Sequence, residues 1–248
     1  QTAPETYPFY IIDRTHSTNN DAMKICRSGK GVHGACIFAQ FQSEGKGQRA
    51  KNWQSNPNEN ILMSVLCQNP RQFQQKPFVL SMLVALTCRQ FLSEYLTNEV
   101  RIKWPNDLII ADRKAGGILI ENIFRGKEWN WAIIGIGINV NQSAFSKDLI
   151  NATSLCKSTG KNYSVIPMAE ELHQKIVIAF NKFDESASQS IIDTYNSHLY
   201  KIDEEVNLQK ENQIISTTIK GVNDEGFLIT TLTEYPQVRH GEVEWIWD

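Results

Sequence analysis

The run Gly135-Ile136-Gly137-Ile138-Asn139-Val140-Asn141 alternates: both glycines and both asparagines share one parity, and Ile136, Ile138 and Val140 the other. Successive strand side chains point to opposite faces, so one face of this segment enters a core while the opposite face is bare and ends in amides. A bare face suits a flat ligand lying directly on backbone, and close helix packing is the ordinary alternative. A chain built around this strand must fold as a sheet.

The rest of the sequence supplies partners for that sheet. Strands are expected at 10–12, 35–41, 61–67, 100–104, 108–110, 117–120 and 129–140. Ser17 or Thr18 can cap a helix whose apolar residues Ala22, Met23, Ile25 and Cys26 fall at helical spacing, with Gly29 ending it. Pro77 opens a long apolar helix to about Leu96, and 166–183 and 190–199 also carry helical periodicity. After Tyr200 the pattern changes to short strands at 205–208, 214–222, 227–232 and 242–247, with a turn at Asn223-Asp224-Glu225-Gly226. The expected fold is α/β (α+β): a mixed-sheet domain flanked by helices over 1–199, then a small β-barrel or sheet over 200–248.

Composition narrows the function. Lysine plus arginine number 25 against 27 acids, a net charge of -2, which argues against general binding to nucleic acid or an anionic membrane. The longest apolar stretch, 78–88, is far shorter than a bilayer-spanning helix, and 1–10 shows no secretory signal. Cys26, Cys36, Cys67, Cys88 and Cys156 are odd in number and never in CxxC spacing, unlike a disulfide framework or zinc site, so a cytoplasmic setting is expected.

Four segments carry polar chemistry. Gly45-Lys46-Gly47-Gln48-Arg49-Ala50-Lys51-Asn52-Trp53 lies in a long polar loop and joins flexible backbone to three cations, fit for phosphate or simply solvated. Lys103-Trp104-Pro105-Asn106-Asp107 groups polar side chains at a strand break, aimed into a pocket or closing their own turn. Lys114 precedes Ala115-Gly116-Gly117, where it lies over a ligand on bare backbone or sits on a surface hairpin. Ser17-Thr18-Asn19 reads equally as a helix cap or as donors to a polar ligand.

In this order the segments GKGQRAKNW, KWPNDL, KAGGIL and GIGINVN resemble the signature of biotin protein ligases, whose basic loop is usually GRGRRGRxW. The resemblance spans about 17–141 and implies a class II synthetase-like catalytic domain with an SH3-like C-terminal domain. Too little chain precedes Ser17 for a winged helix-turn-helix, which points to the monofunctional type. It implies that biotin and ATP, with Mg²⁺, give biotinyl-5'-AMP and pyrophosphate, and that biotin then passes to a lysine of a carboxylase carrier domain.

By similarity Lys114 and Arg49 are catalytic. Biotin-binding positions would be Ser17, Thr18, Asn19, Gln42, Gly45, Lys46, Gly47, Gln48, Trp53, Lys114, Gly116, Gly117 and Ile118. ATP-binding positions would be Lys46, Arg49, Lys51, Trp53, Asn106, Asp107, Lys114, Asn139 and Asn141, with no metal ligand assigned. The loop departs from the family where arginines are usual, most notably at Gln48. Exposed sheet edges would serve a carrier domain or a homodimer. A lipoate ligase and a non-catalytic biotin sensor are the competing readings.

Overall fold

The computed structural model describes residues 6–247, so residues 1–5 of the segment read as lacking a signal lie outside the described residues. In chain order the elements begin with β1 (Phe9–Thr15), α1 (Thr18–Arg27), β2 (Cys36–Gln42), β3 (Gly45–Lys46), β4 (Asn52–Trp53), β5 (Asn60–Gln68) and α2 (Pro77–Ser93). There follow β6 (Val100–Lys103), β7 (Asp107–Ile110), β8 (Arg113–Arg125), β9 (Glu128–Asn139), α3 (Leu155–Thr159), α4 (Val165–Lys182) and α5 (Ser188–Ser197). The chain continues through β10 (Glu205–Lys210), β11 (Gln213–Val222), β12 (Leu228–Thr230), β13 (Gln237–Val238) and β14 (Glu244–Trp245).

Seven strands form one mixed sheet in the order β1-β2-β5-β9-β8-β7-β6, parallel between β1 and β2 and antiparallel elsewhere. Five form an antiparallel sheet in the order β13-β12-β11-β10-β14. The parity of β9 assigns the faces. Ala132, Ile134, Ile136 and Ile138 join the large core with Val79, Leu80 and Met82 of α2 and Leu172 and Ile176 of α4. Trp131 and Ile133 meet Ala22 and Cys26 of α1 on the opposite face. The large core also runs into Val206, Leu208 and Ile219 of the second sheet.

Local rules account for the ends of the helices. Pro77 occupies the first turn of α2, where its missing N–H costs nothing. Gly29, at φ +74°, follows α1 and donates to Cys26 O at 3.1 Å, so the expected stop falls where a left-handed residue is needed. The long polar loop that carries the basic segment contains a small hairpin, in which Gly45 faces Trp53 and Lys46 faces Asn52. Near the expected boundary at 199–200, Ile102 N donates to His198 O and Tyr200 N to Ile102 O, so the chain leaves the first sheet alongside β6.

Candidate functional site

A cavity of about 540 Å³ opens over the glycine face of β8 and β9. Its floor is backbone: Gly117 pairs with Gly137, and Leu119 with Gly135. A Cβ on Gly137 would lie 2.7 Å from the Trp53 ring, and one on Gly135 would strike the Asn19 amide. Glycine is required at both positions because other side chains already rest on the strand.

One end of the floor is covered by the start of α1. Ser17 holds the N-cap position without a side-chain cap bond; Thr18 N instead donates to Gln42 Oε1 at 2.7 Å. Ser64 Oγ lies 2.7 Å from Thr18 Oγ1 and donates to Asn19 Oδ1 at 2.5 Å. Asn19 Nδ2 in turn donates to Glu121 Oε2 at 2.9 Å. Ser17, Thr18, Asn19, Gln42 and Ser64 are all buried, so this polar cluster has fixed geometry rather than a solvated one.

The other end is cationic. Lys114 Nζ sits 2.7 Å from Asp107 Oδ1 and 5.7 Å from the Trp53 ring centroid. Simple alternation would place Lys114 and Gly117 on opposite faces. A bulge between β7 and β8 restores them to one face, because Leu108 pairs with Gly116 and Ile109 with Lys114. Asn151 O and Thr153 N grip the backbone of Lys114 at 2.7 and 2.8 Å.

Lys46 reaches Glu121 at 3.5 Å, while Arg49 and Lys51 reach Glu244 at 3.7 and 3.6 Å. Lys103, only 7% exposed, lies over the rings of Trp245 and Trp247. Burial pushes its ammonium down to about 8, helped by Lys114 and Lys51 and opposed by Asp107. His240, also on the cavity wall, is held below the usual imidazole range by burial and by Arg49.

Of the expected binding positions, Ser17, Thr18, Asn19, Gln42, Lys46, Gly47, Gln48, Arg49, Lys51, Trp53, Asn106, Asp107, Lys114, Gly117 and Ile118 line the cavity. Four lie elsewhere. Gly45 packs against the Trp53 backbone, and Gly116 against Gly137 O and Leu108. Asn139 Nδ2 donates to Thr153 O and Asn141 Nδ2 to Tyr163 O, so both amides tie down the connection after β9, past the end of the cavity. Asn106 lines the cavity, yet its Nδ2 donates to Ile118 O at 2.5 Å and braces the floor.

The sequence reading missed Ser64, a lone hydroxyl in an apolar strand that parity places beside α1, and Glu121. It also missed the wall built by Leu208, His240, Glu244, Trp245 and Trp247, for which no motif exists. Among the described residues no group of three or more His, Cys, Asp or Glu is placed to hold a metal ion.

Comparison with known proteins agrees with this architecture. The chain is 27% identical over 223 residues to the bifunctional ligase/repressor BirA of Salmonella typhimurium, covering 88% of this chain and 67% of that protein. It is 28% identical over 148 residues to the biotin--[acetyl-CoA-carboxylase] ligase of Mycobacterium tuberculosis, covering 58% of this chain and 53% of that one. Its fold matches that of a biotin protein ligase from Aquifex aeolicus, solved in complex with biotin and ATP, with a TM-score of 0.81 and 24% identity over 98% of this chain and 100% of that one. A family model for biotin/lipoate A/B protein ligases matches residues 11–139, more than half of the sequence, and by that match the chain belongs to the Biotin/lipoate A/B protein ligase family.

Proposed function

We propose that the chain is a biotin protein ligase, and that this cavity joins biotin to ATP and then hands the biotinyl group to a lysine of a carboxylase carrier domain. One observation carries the reading: a buried amide and hydroxyl cluster at one end of the glycine floor and the cations Lys51, Lys103 and Lys114 beside Asp107 at the other line a single cavity. Biotin's ureido ring needs a few fixed hydrogen bonds, which Ser17, Thr18, Asn19 and Gln42 offer, and its apolar part needs a greasy slot, which Ile118 and the Trp53 ring over Gly117 and Gly137 offer. The dithiolane of lipoate has no ureido group to satisfy that cluster, which favours biotin.

In the first step a carboxylate oxygen of biotin attacks the α-phosphorus, and the bond to the leaving pyrophosphate breaks. Two anions must approach one another, so the stabilisation that matters is neutralisation of charge as it develops. Lys114 stands between the floor and Asp107 for this role, with Arg49, Lys46 and Lys51 available to phosphate oxygens. In the second step the acceptor amine attacks the acyl carbon, AMP leaves, and the amine sheds its proton.

Magnesium, carried in on nucleotide phosphates, would need only one or two carboxylates, and Asp107, which lines the cavity 2.7 Å from Lys114 Nζ, would be the residue to hold it. The ion would neutralise phosphate charge. The exposed edge strand β1, with Tyr10 52% and Ile11 46% exposed, is a backbone surface suited to a carrier domain or a second copy of the chain. No helix among the described residues is long and apolar enough to cross a membrane, and all five cysteines are free.

The deciding experiment is incubation with ATP, Mg²⁺, labelled biotin and a biotin carrier domain. Transfer of label to the carrier lysine is expected. Calorimetry that registers lipoate but not biotin would overturn the reading.

A further inference from the structure

The segment from Glu244 to Trp247, at the end of the second sheet, engages three cavity cations. Glu244 Oε1 receives both Arg49 Nη1 at 3.7 Å and Lys51 Nζ at 3.6 Å. One residue on, the Trp245 ring lies 5.0 Å from Lys103 Nζ, and Trp247 lies 4.6 Å from the same ammonium. The two ion pairs meet on a single carboxylate oxygen at distances beyond hydrogen bonding, so the contact is one of charge, of the kind two cations make with one non-bridging oxygen of a phosphate.

The loop partner is held in an unusual shape. Arg49 has φ +54° and ψ 43°, a left-handed conformation that is uncommon in a non-glycine residue. Glu244 is placed by pairing of β14 with β10 through Leu208 and Gln209, a sheet distinct from the one that carries the loop. The carboxylate thus comes to the loop from a part of the chain nearly 200 residues further on, and both line the cavity.

We propose that Glu244 is an internal stand-in for nucleotide phosphate, holding Arg49 and Lys51 while the site is empty and yielding them when phosphate enters. The proposal rests on the reading that this cavity takes ATP, and it makes Glu244 a determinant of nucleotide affinity supplied by the second sheet. Phosphate must displace the carboxylate before it can use the two cations, so apparent affinity falls by the fraction of chains in which the pairs are made. Both pairs are partly exposed, which limits the effect to a modest factor.

The test is Glu244→Gln, which keeps shape and removes charge, with Glu234→Gln, an exposed acid in the connection between β12 and β13, as a control. Trypsin cleaves after lysine and arginine, so cutting after Arg49 and Lys51, identified by mass spectrometry, reports release of the loop. Without any ligand, E244Q is expected to be cut there about threefold faster or more, and its Kd for ATP to fall by about threefold to tenfold, with E234Q matching the parent in both. Equal cutting of E244Q and parent overturns the proposal. Faster cutting with an unchanged or weaker Kd overturns it too, because the carboxylate would then hold the loop without competing with phosphate. Absence of ATP binding in the parent chain defeats the functional reading instead, and the ligand-free cutting rates still decide whether Glu244 holds the loop.

Discussion

Lys114 owes its position to three separate devices: the β7–β8 bulge that turns it toward the floor, the backbone grip of Asn151 and Thr153, and the Asp107 carboxylate that fixes its ammonium. A side chain held this firmly is preorganised for charge that develops in a transition state. Lys114→Ala is expected to slow single-turnover adenylate formation by about 10²- to 10³-fold with little change in biotin affinity. Unchanged adenylation would remove Lys114 from the chemistry. Gln48 makes the opposite case, since it lines the cavity but has no charge to offer phosphate. Gln48→Arg is expected to slow escape of the acyl adenylate after rapid dilution, and equal or faster release would refute that role.

The residues of this site were legible in proportion to how local their placement is. The glycine parity of β9 could be read directly, because alternation fixes a face. Alternation does not say where along a strand the cavity stops, which is why Asn139 and Asn141 share the glycine parity yet bond to Thr153 and Tyr163. The orientation of Lys114 was hidden for a related reason: a bulge reverses parity and leaves no sequence mark.

At the scale of elements, α4 carries a group whose titration bears on stability. His173 is fully buried, its Nε2 2.6 Å from Gly34 O and its Nδ1 without a partner among the described residues. Burial holds its imidazole below the usual range, against smaller opposing effects of Gly34 and Glu170. In the unfolded chain the ring takes a proton near its ordinary value of about 6.5. The unfolded state therefore binds more protons below that pH, and stability is intact above it and falls as pH drops through it. Urea midpoints measured at pH 7.5 and 5.5 should separate further in the parent chain than in His173→Gln, and equal separation would discount the histidine. The helix itself was legible from its periodicity, whereas the value of this position depends on β2 and the loop before it.

For the whole molecule, two sheets share a cavity, and the cost of building it is visible at Lys103. This ammonium is buried on aromatic faces and is pushed down to about 8, so at neutral pH it carries a desolvation penalty that the unfolded chain does not. The penalty is fully present below about pH 8 and fades toward the unfolded value of 10.5. Lys103→Met should raise stability near pH 7 by about 1–3 kcal/mol while weakening ATP binding. A destabilised variant in thermal melts would show that the aromatic contacts outweigh burial. The seven-stranded sheet was legible strand by strand, and the second sheet only as a change of pattern. Its docking onto the first was not, because Glu244, Trp245 and Trp247 reach the cavity through tertiary packing alone.

Chain order gives that shared wall a consequence during synthesis. The floor, the polar cluster and the basic loop all precede residue 138 in the sequence, whereas Leu208, His240, Glu244 and Trp245 come much later. A growing polypeptide thus carries its cavity cations before the segment from Leu208 to Trp247 that encloses them has been translated.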